Sequence, residues 1–182
     1  MHYTVYGVFA FCPDCGLHNS IQILGKNLEL AVKMLDMVAT LEGDLAVRLT
    51  ENALEDCVSA FDGFGREICH VYARKSTDPA KAEKVSFQNL EGARQSLSGL
   101  FNIDLAAGLV VDEWKIAVRG FQKRHLLSHK LGVVDEEYIR KTDDDRAVVG
   151  RKVNIGADDI RELVRILGKL AQSVSDDLVR HP

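Results

Sequence analysis

From about Ala157 onward, Ile160, Leu163, Val164, Leu167, Leu170, Val174 and Leu178 recur at helical spacing. That spacing lines one face of an α-helix and no single face of a strand. An amphipathic helix of this kind gains most of its stability by laying its stripe on other elements. A second seam runs from Asp44 towards Arg74, where Leu54, Val58, Phe61, Ile68 and Tyr72 are spaced by three, four or seven residues. Two long amphipathic segments in one chain predict a helical bundle.

Shorter helices fill in between. One is expected over Asn27 to Leu41, broken by Gly43, and another over Ala80 to Phe101 after an Asp78-Pro79 start signal. A further helix begins near Val111. "DEEYIRK" supplies about two turns, and "TDDDRAVVGRKVNIG" reads as a loop with a short extended piece at Val153 and Ile155. Gly63 and Gly65, in "FDGFG", fall inside the second seam. Each costs about 1 kcal/mol of helix propensity relative to alanine, so they mark a close helix contact or a bend. Residues 3 to 24 read differently, as two short strands, "YTVYGVFAF" and "SIQIL", around a turn. The expected chain is therefore mainly α, with a small N-terminal β-hairpin over residues 1–25 and a helical bundle over 26–182.

Composition narrows the function classes. A chain of 182 residues suits one domain with a small appendage, and 46% hydrophobic with 27% charged residues fits an ordinary globular protein. The formal net charge of -4 excludes a strongly basic nucleic-acid coat, so any such contact must come from a local patch. No apolar run approaches the roughly 18 residues of a membrane span. The N-terminus "MHYTVYGVFAFCPDCG" lacks the basic start and continuous apolar centre of a signal peptide. These features predict a cytoplasmic protein without membrane contact, whose four cysteines are thiols or metal ligands.

The chemistry concentrates in "WKIAVRGFQKRHLLSHKLG", residues 114–132. Trp114, Val118 and Phe121 share one helical face, and the next positions on that stripe are His125 and Ser128, flanked by Arg124 and His129. Ile116, Gly120, Leu127 and Leu131 form a second apolar strip, expected of a helix central to its bundle or at a dimer interface. Lys115, Arg119, Lys123 and Lys130 form a basic stripe that would attract a phosphate. Cleavage of RNA by its own 2′-hydroxyl needs a base, an acid and charge on the phosphate, and in principle no metal. Histidine titrates near neutral pH, and arginine offers a fixed fork of donors. An ideal helix puts Arg124 and His129 roughly 140° apart, so they converge on one phosphate only if the helix end distorts or a second subunit contributes. The bland alternative is that an arginine and a histidine simply favour a helix C-terminus. His125 and His129 also have a spacing that can hold a metal, but no nearby acid or thiol in this stretch completes a site.

"RHLLSH" resembles the Arg-x4-6-His signature of the HEPN superfamily, and "KLGVVDEEYIRKT" is similar to the continuation seen in many bacterial members. The resemblance covers about residues 27 to 180. It implies a HEPN-like helical bundle and a metal-independent endoribonuclease of a toxin–antitoxin or phage-defence kind. It also implies a homodimer in which two motifs face a shared cleft, and an antitoxin partner. On it, Arg124 would contact the scissile phosphate, His129 would transfer a proton, and His125 would take the variable polar position. Arg119, Lys123 and Lys130 would contact RNA. Other members are not catalytic, so a module that binds nucleotide, RNA or protein is the alternative.

"FCPDCG" is the remaining motif. Cys12 and Cys15, two residues apart before a glycine and between predicted strands, make the half-site of a zinc ribbon. A redox Cys-x2-Cys would instead open a helix. The cofactor expectation is a structural zinc and none for catalysis, with a turn that survives without metal as the alternative. The second ligand pair is missing. Cys57 and Cys69 lie about 18 Å apart on one helix and cannot share an ion. His18, Cys69 and His70 are single candidates, and two knuckles could share an ion across a dimer. Cys57 reads as a small core residue.

Overall fold

A computed structural model describes residues 19–180. Seven α-helices span these residues: α1 Ser20–Val38, α2 Gly43–Val71, α3 Pro79–Ala82, α4 Leu90–Phe101, α5 Val111–Lys130, α6 Glu136–Thr142 and α7 Ala157–Arg180. A 3-10 turn, Ala73–Lys75, follows α2. The helical class is as the two long seams predict. No helix among the described residues is long and apolar enough to cross a membrane.

The expected second strand, "SIQIL", is instead the first turn of α1. Leu24, Leu28, Ala31 and Leu35 are buried at steps of four and three, and this 3.6-residue stripe overrides an alternation only five residues long. The proposed domain boundary after residue 25 thus falls inside α1. The other half of the hairpin, with Cys12 and Cys15, lies outside the described residues.

The helix expected over Ala80 to Phe101 is two helices. Asp78 accepts a hydrogen bond from Lys81 N at 3.2 Å and Pro79 opens α3, as the start signal indicated. After α3 the chain runs irregularly to Asn89, whose side chain caps α4 by accepting from Gly92 N at 3.4 Å. The break comes from elsewhere in the chain. The buried Asp62 carboxylate, on α2, accepts the Phe87 backbone N–H at 2.6 Å and the Ser86 hydroxyl at 3.1 Å. Phe87 is thereby held in the core against Phe61. Gly65 explains part of the "FDGFG" signal: a Cβ there would lie 2.3 Å from the Phe87 ring. Gly63 has no such neighbour among the described residues.

α7 is the element on which the others meet. Its stripe of Ile160, Leu163, Ile166, Leu167, Leu170, Val174 and Leu178 is buried, and it packs against α1, α2 and α5. Polar ties reinforce it. Glu113 of α5 accepts from Arg165 and Lys169, each at 2.6 Å, and Arg161 donates to Asp36 of α1 at 2.7 Å. Lys75 donates to the Leu178 and Val179 carbonyls at 3.3 Å. Gly120 brings α5 close to α7, since a Cβ there would meet Leu163 Cδ2 at 2.8 Å.

α6 forms a smaller core with the end of α5, built on Leu126, Val134 and Tyr138. The loop after α6 folds back on the segment after α5. Val134 N donates to Arg151 O at 2.9 Å and Val153 N to Gly132 O at 2.8 Å, around a single bridge between Val133 and Lys152. This is the extended piece expected near Val153.

Candidate functional site

The core stripe of α5 does not turn polar, contrary to the straight-stripe reading. Its buried face runs through Glu113, Ala117, Phe121 and Leu126, with Trp114, Ile116 and Leu127 packed beside it. His125, Ser128 and His129 are exposed. The cause is a change of partner along the helix. Phe121 belongs to the main core with α2 and α7, whereas Leu126 belongs to the small core with α6. The buried face rotates to follow the new neighbour, and the histidines are left outside it.

α5 is regular up to Lys130, then stops at Leu131 with left-handed φ 54° and Gly132 with φ 75°. Gly132 N donates back to Leu126 O at 2.9 Å, which closes the helix end. Leu131 itself is 84% exposed, so the second apolar strip ends in solvent. Because the helix does not distort before Lys130, Arg124 and His129 of one chain stay on different faces. Arg124 is half-buried and His129 is exposed.

The His125 and His129 rings lie 4.8 Å apart between centroids, tilted by 50°. Loss of water around the His125 ring lowers its pKa, and repulsion from His129, Lys130 and Lys141 adds to this, against a smaller opposing pull from Glu137. The imidazole is therefore biased towards its neutral form. Its folded value lies below its ordinary 6.5, so the unfolded chain binds the proton better, and stability falls as the pH drops below that value. An NMR titration of the imidazole C–H signals is expected to place His125 below 6.5. His129→Ala should move it part of the way back. A midpoint at or above the ordinary value would contradict this account.

The predicted cations divide sharply. Lys123, expected to contact RNA, is only 5% exposed and pairs with Asp159 at 3.0 Å. Lys130 is bound to Asp135 and stands 3.8 Å from Glu137. Arg119 lies 3.8 Å from Asp144. Arg124 has no carboxylate within ion-pair distance among the described residues, and its Nε is sealed from water without an acceptor. Lys115 is exposed.

Sequence reasoning missed Glu55, which comes from α2 and stands 3.4 Å from the Ser128 hydroxyl. It also missed Lys141, whose charge reaches His125 from α6. Neither carries a signal of its own, because only the tertiary packing of α2 and α6 on α5 brings them there. Arg48, Glu51 and Glu55 of α2 face Leu127, Leu131 and Lys152 across an open groove of about 240 Å³.

Among the described residues no group of three or more His, Cys, Asp or Glu side chains could hold a metal ion. The His125–His129 pair accordingly lacks a third protein ligand there. Cys57 and Cys69 are buried thiols, and burial pushes each up to about 12, with Asp56 adding to the effect at Cys57. Cys69 is a buried core residue, and His70 is exposed. In a chain carrying Cys12→Ser and Cys15→Ser, Ellman's reagent at pH 8 is expected to find no reactive thiol until the protein is unfolded. Prompt reaction of the folded protein would contradict the buried placement. His18 lies outside the described residues.

The chain matches no known protein family, no curated protein and no solved structure.

Proposed function

We propose that the protein is a metal-independent endoribonuclease that acts as a pair of copies, with the ends of two α5 helices forming one site. The observation that carries this reading is the contrast along α5. Lys123 and Lys130 are paired with carboxylates and Arg119 has one at 3.8 Å, while Arg124 has none among the described residues and precedes two exposed, adjacent imidazoles on the helix. A half-buried guanidinium without a partner is costly, on the order of 1–3 kcal/mol for an unmet buried donor. A phosphate would give that guanidinium a charged partner.

In this mechanism Arg124 holds the scissile phosphate and stabilises its developing charge. His129 transfers a proton, and His125, biased to its neutral form, is suited to accept one from the 2′-hydroxyl or to orient His129. Arg124 and His129 diverge on one regular helix, so each phosphate would be served by groups of both copies. The resemblance of "RHLLSH" to the Arg-x4-6-His signature of HEPN ribonucleases points the same way.

The test is incubation with mixed structured and single-stranded RNAs in excess EDTA, beside a sample without chelator. Arg124→Ala and His129→Ala chains are assayed alone and after being unfolded and refolded together. Each alone is expected to be inactive, and the mixture to recover part of the activity, because some mixed pairs carry one intact Arg124 and one intact His129. Cleavage by either variant at the wild-type rate would defeat the proposal. Two inactive variants that never complement would confine the site to one chain.

A second reading, a non-catalytic binding module, is favoured by one observation. Glu51 and Glu55 line the groove beside Ser128, where a long RNA backbone would meet acidic side chains. Such a module would keep its affinity in His129→Ala.

A further inference from the structure

A separate cleft of about 300 Å³ lies between α5 and the start of α7, and Arg124, His125 and His129 do not line it. Its volume is at the lower end of the range for small-molecule sites. Leu54, Ile116, Ile155 and Leu163 give it an apolar wall, and Arg119 and Arg146 bring two guanidiniums to it.

These arginines are poorly served by the chain. Arg119 Nε is sealed from water and has no hydrogen-bond acceptor among the described residues. Its nearest carboxylate, Asp144, is 3.8 Å away and already accepts from the Tyr138 hydroxyl at 2.7 Å and from Arg146 N at 3.3 Å. The Arg146 side chain is exposed. The other charges at the cleft are largely spoken for: Lys123 is paired with Asp159, and Glu162 with Arg165 at 2.6 Å. Asp158 is the remaining acid there, and it is exposed. The cleft thus offers an apolar surface beside two guanidiniums, neither of them held in a close ion pair among the described residues. A cationic ligand would meet repulsion from both.

We infer that this cleft binds a small amphipathic acid, with a carboxylate or phosphate head on Arg119 and Arg146 and a short apolar body on Ile116, Ile155 and Leu163. Guanidinium forks match either head group, since both present paired oxygens. The site is independent of the proposed nuclease centre.

Octanoate and octyl phosphate would be titrated into the full chain by calorimetry, with octanol and octylamine as head-group controls. Both acids, or one of them, should bind in preference to the controls, and the preferred acid identifies the head group. Arg146→Ala removes an exposed side chain and leaves the fold intact; it should weaken binding about tenfold. Arg119→Lys keeps the charge beside Asp144 but loses the fork, and should weaken binding similarly. Arg124→Ala should bind as wild type does. The inference is overturned if neither acid binds, if octanol binds as tightly as the acids, or if Arg146→Ala and Arg119→Lys leave the affinity unchanged.

Discussion

His129→Ala is expected to slow RNA cleavage by about 10²–10⁴-fold while leaving the fold and the RNA affinity close to wild type. The size follows from the role: a side chain that transfers a proton in the transition state contributes to rate and little to ground-state binding. The safety of the substitution follows from exposure, because His129 lies outside both cores and makes no backbone cap. Arg124→Ala should differ in kind. It removes a cation as well as the proposed donor to the phosphate, so it should weaken RNA binding in addition to lowering the rate. Single-turnover cleavage with a saturation curve separates the two. A His129→Ala chain that cuts RNA within a few-fold of the wild-type rate would remove this histidine from the mechanism.

Gly65→Ala is expected to destabilise the protein by about 1–3 kcal/mol, although alanine is the better helix former. The new Cβ would lie 2.3 Å from Phe87 Cγ and Cδ2. That ring cannot readily retreat. It is fully buried against Phe61, and its backbone N–H is tied to Asp62 at 2.6 Å. Gly63→Ala, two residues earlier, meets nothing within 4 Å among the described residues and should be neutral or stabilising by up to about 1 kcal/mol. Urea unfolding of the two variants gives the contrast directly. Equal stability for Gly65→Ala and wild type would mean that the close approach of α2 to Phe87 is not as described.

The two glycines also show what a sequence can and cannot reveal. Each carries the same local signal, an interruption of helix propensity, and only the packing partner distinguishes them. The α7 stripe and the α2 seam were legible because a long periodic pattern depends on few other facts. The break between α3 and α4 was not, because it depends on Asp62 reaching a segment 25 residues later. The same limit applies at the candidate site. The spacing of Arg124, His125 and His129 is visible in the chain, but Asp135, Asp144 and Asp159, which neutralise the neighbouring cations, come from later segments. Extrapolating the Trp114–Phe121 stripe failed because α5 changes neighbours at Leu126.

The position of α7 bears on how such a chain could be made safely. Ribosomes deliver the chain from its N-terminal side, so α1, α2 and α5 emerge before the helix that covers their shared apolar surfaces. The α1–α2 hairpin can pair early, because its halves are joined by a short turn. The end of α5 can likewise pair early, with α6 through Leu126, Val134 and Tyr138, whereas Glu113 and Lys123 wait for Arg165, Lys169 and Asp159 of α7. A nascent chain that has not yet produced α7 would therefore hold the charges of Glu113 and Lys123 without the partners that neutralise them in the folded protein.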